Sequence, residues 1–192
     1  MSVLALDLLK KPELLSSHPI YVIEGEEIFL RTESITVIEN SVFPRDEDKI
    51  GLTRKSGESV VLADVLDELC TPSFFSPKRM VVIDPADEFI SKNRAELEKY
   101  AEHPSSDSVL VLAVKSFPSS TRLAKILVKQ QPGGLIINAR PPKPEELIQW
   151  VMVRAIQNDS KIDKDAAILL TELIGAETGI LDQEIAKLAV AC

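Results

Sequence analysis

The 192-residue chain is poor in the residues that most often carry chemistry, with two cysteines, two histidines, one tryptophan and seven glycines. Cys70 lies inside a helical pattern and Cys192 ends the sequence, so there is no CxxC spacing and no disulfide framework, which fits a reducing, cytoplasmic setting. His18 and His103 each abut a proline without a second ligand at metal-binding spacing; both read as surface histidines, and no metal or other cofactor is expected. Basic charge is also short: 22 Lys and Arg against 30 Asp and Glu give a net charge of −8. Holding nucleic acid alone takes clustered cations, so any DNA contact is expected only together with a partner. No apolar run approaches the roughly 18 residues of a membrane span. The N-terminal "MSVLALDLLKKPELLSS" lacks a small-residue cleavage site and reads as a capping helix rather than a signal peptide.

What is present is an alternation of short apolar runs with longer segments of helical period, the pattern of an α/β protein with a parallel sheet. Five strands are predicted, in "PIYVIEG" (19–25), "IGLTRKSGES" (50–59, an edge strand), "RMVVID" (79–84), "SVLVLAV" (108–114) and "LIINA" (135–139), joined by right-handed crossovers. Helices are predicted in "EEIFLRTESITVIEN", "VVLADVLDELC", "SKNRAELEKYAEH" and "SSTRLAKILVKQQ". The proline-rich "ARPPKPEELIQW" cannot continue either kind of element and sets a boundary near Arg140, between an α/β domain, 1–140, and a small helical domain, 141–192. Pro144 followed by Glu145 and Glu146 is a helix start, because proline gives up no needed donor there and the acids suit the dipole. Three helices follow, with Gly175 and Gly179 bracketing the last. That helix keeps an apolar face to Cys192 without a capping signal, so the natural chain is expected to be longer.

A sheet followed by three helices resembles P-loop ATPases of the AAA+ type, which need GxxxxGK[ST] after the first strand to cradle phosphate. Here that position reads "VIEGEEIFLR". Gly25 is alone, no lysine follows at the required distance, and Glu26 and Glu27 sit where phosphate would meet the helix N-terminus. In "MVVIDPADE", Asp84 occupies the place of a magnesium-binding acid, but without a P-loop it is a poor magnesium site, and no nucleotide-binding or catalytic residue is assigned. Carboxylate pairs such as Asp67 and Glu68 read as solvated helix faces. The alternatives kept open are a degenerate NTPase using Asp84 and the Glu88 region, and a structural α/β interaction module.

The candidate site is "TPSFFSPKRMVVID", in which Phe74 and Phe75 stand between Pro72 and Pro77. Consecutive residues of an extended or turning backbone point in different directions, so one core takes both rings only if the loop folds over them. Otherwise at least one ring is offered to a partner, and burying it there is worth about 1.5–3 kcal/mol. Lys78 and Arg79 read as solubilising the loop.

The stretches "PIYVIEGEEIFLR", "LCTPSFFSPKRMVVID", "TRLAKIL", "PEELIQWVMVRA", "DKDAAILLTELIG" and "LDQEIAKLA", in this order over almost the whole chain, resemble the delta subunit of bacterial DNA polymerase III, a member of the sliding-clamp loader. The resemblance implies an AAA+-like fold without a working ATP site, hence a non-catalytic subunit. It implies that Phe74 and Phe75 enter a pocket of the beta sliding clamp and help open the ring for loading onto primed DNA during replication. The family often has Leu-Phe at this pair, and "KSFPSSTR" is less basic than the family's segment. The Ser-Arg-Cys tripeptide of related loader subunits is missing. The resemblance further implies a C-terminal collar domain that joins the other loader subunits and that these 192 residues do not include.

Overall fold

The computed structural model describes residues 2–72, 76–130 and 133–191. Its frame is a six-stranded, all-parallel sheet in the order β1-β6-β2-β5-β4-β3. The strands are β1 (Ser2–Leu4), β2 (Ile20–Glu24), β3 (Leu52–Lys55), β4 (Arg79–Ile83), β5 (Ser108–Val114) and β6 (Gly134–Asn138). A parallel sheet covered on both faces favours uninterrupted β-branched and aliphatic runs, and all seven residues of β5 are buried. Alternate side chains serve opposite faces. Tyr21, Ile23, Val109, Val111 and Ile137 join one hydrophobic cluster, whereas Ile20, Val22, Leu110, Leu112 and Ile136 join the other.

The second cluster is closed by α3 (Leu62–Cys70), α4 (Asp87–Lys92), α5 (Arg94–Glu102) and α6 (Arg122–Lys129), through Val65, Leu69, Phe89, Leu97 and Leu127. The first is closed by α1 (Ala5–Lys10), α2 (Ile28–Val42), α7 (Pro144–Gln157), α8 (Lys164–Ile174) and α9 (Thr178–Ala191). This cluster runs unbroken from the sheet into the C-terminal helices: Trp150 is buried edge-on to Phe29, with ring centroids 6.0 Å apart, and Leu181 and Ile185 of α9 are buried with it. No helix among the described residues is long and apolar enough to cross a membrane.

Three local expectations change. The N-terminal segment is not one capping helix, because Ser2–Leu4 pairs in parallel with β6 as a sixth strand and the helix shrinks to Ala5–Lys10. In the register Ser2↔Ile136, Val3↔Ile137, Leu4↔Asn138 it satisfies the outer edge of β6, which outweighs the helical preference of its leucine. The segment after β4 is two helices, because the Asn93 side chain donates to the Phe89 carbonyl at 2.8 Å and competes with the helical bonds there. Gly179 lies inside the first turn of α9, so the turn between α8 and α9 is formed by residues 175–177.

Candidate functional site

Two edges of the sheet carry the residues singled out by sequence. At the carboxyl edge, where an AAA+ protein would cradle phosphate, the chain binds itself. The Gly25 N–H donates to the Val114 carbonyl at 3.0 Å, the Ala139 N–H donates to the Glu24 carbonyl at 2.6 Å, and the Glu27 N–H donates to the Ala139 carbonyl at 3.3 Å. Gly25 has φ of 142°, and a Cβ there would stand 2.2 Å from the Ala139 oxygen. The backbone of Ala139, the residue after β6, therefore fills the space next to the one glycine that a phosphate loop could have used.

The N-terminus of α2 is also satisfied from within. Glu27 Oε1 accepts from the Phe29 N–H at 3.3 Å and from the Thr178 hydroxyl of α9 at 2.9 Å. A carboxylate at this end complements the helix dipole and repels another anion. Arg31, one turn into α2, is nine-tenths buried; its Nη1 donates to the Gly25 carbonyl at 3.0 Å, and its Nη2 lies 3.9 Å from Asp84 Oδ1. Glu24 accepts from the Phe117 N–H and from Asn138 Nδ2, each at 3.2 Å, and Asp87 accepts from the Lys115 N–H at 3.0 Å.

The acids of the NTPase alternative are thus dispersed into separate bonds. Asp84 faces Arg31, Asp87 caps the end of β5, and Glu88 pairs with Lys92 at 2.7 Å, a hydrogen bond that lowers the Glu88 pKa. Among the described residues no group of three or more His, Cys, Asp or Glu side chains could hold a metal ion. His103 is exposed, as expected. His18 is half-buried, its ring 2.8 Å from both Ser16 Oγ and the Gly133 carbonyl.

At the amino edge, α3 ends and β4 begins, and the loop between them holds the phenylalanine pair. Phe74 and Phe75 themselves lie outside the described residues, as does Ser73. The residues on either side of them are held by hydrogen bonds. On one side, the Thr71 N–H closes α3 onto the Asp67 carbonyl at 3.0 Å, and Pro72 is exposed. On the other, the buried Ser76 hydroxyl donates to the Asp48 carbonyl at 2.8 Å. The 3-10 turn Asp46–Gly51 packs so closely beneath this limb that a Cβ on Gly51 would be 2.3 Å from the Lys78 carbonyl. The Arg79 N–H donates to the Asp107 carbonyl at 3.1 Å, which fixes the start of β4 against the segment leading into β5. Sequence reasoning found the loop but missed the turn that anchors it, because nothing near Gly51 marks a contact with Lys78, 27 residues further on.

An all-parallel α/β sheet with its helices shared between two faces is a doubly wound fold, and the solved structures on which it superposes set the class first: the fold is that of AAA+-type proteins. The Thermotoga maritima RuvB Holliday junction branch migration motor superposes with a TM-score of 0.51 at 16% identity, over 94% of this chain and 57% of that one. The Bacillus subtilis DNA clamp loader delta protein (YqeN) superposes with a TM-score of 0.78 at 23% identity, over 97% of this chain and 57% of that one. In sequence, the DNA polymerase III subunit delta of Bacillus subtilis (strain 168) is 25% identical over 190 residues, 94% of this chain and 53% of that protein. The chain thus spans little more than half the length of these relatives. Residues 21–132 match the family of the DNA polymerase III delta subunit, and the chain belongs to that family.

Proposed function

We propose that this chain is a non-catalytic part of a clamp loader that binds the beta sliding clamp and helps open it for loading onto primed DNA. Phe74 and Phe75 are the residues that enter the clamp. The observation that carries the reading is the family match, which runs through the loop holding the pair. The anchoring of the described residues on either side supports it: Thr71 closes α3 and Ser76 is tied to the Asp48 carbonyl, so these flanks have little freedom to lose on binding. The filled phosphate position at the opposite edge supports a subunit without ATP chemistry of its own.

In this reading residues 1–140 form the clamp-binding domain and 141–192 a small helical lid domain. The other loader subunits are engaged through a C-terminal collar domain, and primed DNA only within the assembled, cytoplasmic loader. The ring opens because the phenylalanine pair binds a distorted clamp interface better than the closed one. The test is binding of the chain to immobilised cognate clamp, parent against Phe74→Ala/Phe75→Ala. The double variant should remain folded and lose binding by about a hundredfold, two hot-spot residues having been removed. Undiminished binding by the folded variant would sink the assignment.

A further inference from the structure

The base of the loop carries two cations, Lys78 and Arg79, without a counter-charge among the described residues. Elsewhere among the described residues, half-buried or buried cationic side chains are paired: Lys10 with Asp7, Arg31 with Asp84, Lys49 with Asp46, Lys55 with Glu68, Arg140 with Glu146, and Arg154 with Glu33 and Asp182. Lys78 and Arg79 are both half-buried, and neither side chain has an ion pair or hydrogen bond among the described residues. Arg79 Nε is buried without an acceptor there. Arg31 Nε is too, but the remainder of that guanidinium is satisfied by Gly25 and Asp84. A chain with eight more acids than bases has carboxylates to spare, yet none among the described residues has been brought to this pair.

Lys78 also lines two hollows at the amino edge of the sheet. One, of about 340 Å³, includes Ser17, His18, Ser105 and Ser106, and carries no carboxylate among the described residues. The other, of about 230 Å³, includes Thr71 and Asp107, and Asp107 makes no ion pair with Lys78. The buried Arg79 Nε itself lies out of a partner's reach, but a half-buried cation without a counter-charge among the described residues leaves its attraction for an incoming carboxylate unspent. Hydroxyl groups and an ammonium around an open hollow suit an anionic oxygen.

We propose that Lys78 and Arg79 form the cationic half of the partner footprint and receive carboxylate side chains of the protein that Phe74 and Phe75 engage. The inference rests on the clamp-binding reading above, since the cations stand three and four residues beyond Phe75. The apolar tip then supplies the buried anchor, and the cations orient it and speed encounter with an acidic rim. A protein carboxylate is favoured over a nucleic-acid phosphate because Lys78 and Arg79 are only two charges beside an apolar pair, without the cationic cluster that tracks a phosphate backbone.

The experiment is surface plasmon resonance of the full chain on immobilised cognate clamp, in salt from about 50 to about 300 mM, a range over which the screening length falls by a factor of about 2.4. Lys78→Gln/Arg79→Gln should weaken binding about tenfold, mostly through slower association, and remove most of the salt dependence. Its melting temperature should stay close to that of the parent, because neither side chain has an ion pair among the described residues to lose. Lys78→Arg should keep both the affinity and the salt dependence. If Phe74→Ala/Phe75→Ala abolishes binding while the glutamine variant matches the parent at every salt concentration, this inference fails and the clamp-binding reading stands. Salt-independent binding by the parent overturns it without any variant. Retained binding by the phenylalanine variant overturns the clamp-binding site and this inference together. A glutamine variant that loses affinity for a short primed duplex, but not for the clamp, assigns the pair to phosphates instead.

Discussion

Two glycines in this chain hold positive φ for different reasons, and substitution separates them. At Gly25 the backbone lies at 142° with the Ala139 carbonyl where a side chain would begin, so Gly25→Ala combines strain with a clash against backbone that cannot move aside. We expect a loss of about 3 kcal/mol or more in urea denaturation. At Gly175, which ends α8 at φ of 83° and ψ of −158°, no atom lies within 4 Å of the point a Cβ would occupy, so Gly175→Ala meets no clash and should cost about 1–3 kcal/mol through backbone strain alone, in a region that only glycine enters readily. Glu146 makes a second residue-scale prediction. The Arg140 guanidinium, bonded to it at 2.7 and 3.0 Å, and the Lys143 N–H at 2.8 Å hold its carboxyl down at about 2 from an ordinary 4.5. A lowered folded-state pKa contributes stability that is present above about 4.5 and lost as pH falls toward about 2. Glu146→Gln should therefore lower stability at neutral pH and flatten the acid limb of a stability profile between those values, read by chemical denaturation at a series of pH values.

At the scale of elements, the strands were legible because burial on both faces demands long apolar runs, and α3 and α6 because they repeat apolar residues at helical spacing, whereas α2 buries Arg31, Ser34 and Glu39 beside Leu30, Ile35 and Ile38 and leaves Ile28 exposed. The strand Ser2–Leu4 was not legible, since three residues carry no period and only the unpaired edge of β6 makes them a strand. Likewise, the missing P-loop was legible in "VIEGEEIFLR", while the filling of its place by Ala139 was not, being a contact between chain positions 114 residues apart. The boundary near Arg140 is marked by prolines, yet the hydrophobic cluster passes across it, from Phe29 of α2 to Trp150 of α7 and Leu181 of α9. Polar bonds cross it as well: Thr178 to Glu27, Arg154 to Glu33 at 3.3 Å, and Gln157 to the Leu9 carbonyl at 3.0 Å. The two regions should accordingly unfold together. Trp150 is the lone tryptophan, so its fluorescence reports the helical region while far-UV circular dichroism reports the whole chain. We expect coincident urea transitions from the two probes, and separated midpoints would mark independent units. Trp150→Phe should keep one transition at reduced stability, by about 1–3 kcal/mol for the smaller ring.

For the whole molecule the decisive arrangement is the separation of two edges. In a parallel sheet every strand begins at one edge and ends at the other, so the loop before β4 and the turn after β2 lie at opposite ends of the sheet. An AAA+-type fold would ordinarily place nucleotide at the second of these, between sheet and C-terminal helices. Here Glu27 and Thr178 already join those parts directly, and Arg154 reinforces them by bridging Glu33 of α2 and Asp182 of α9. The side chains thus supply permanently a connection that a bound nucleotide would supply only while present. A nucleotide can shift the loop only by binding one conformation better than another, and among the described residues the Ala139 backbone fills the place beside Gly25 where its phosphates would sit. We therefore expect Mg-ATP to leave both the melting temperature and the clamp affinity of the isolated chain unchanged. The measurement is sensitive enough to decide, because a ligand at about a hundred times its Kd adds about 2.7 kcal/mol. In a chain of this size that raises the melting temperature by roughly 5–10 °C. A dose-dependent rise of that order, abolished by Arg31→Ala, would return the carboxyl edge to the nucleotide sites and make the loop at the other edge its output.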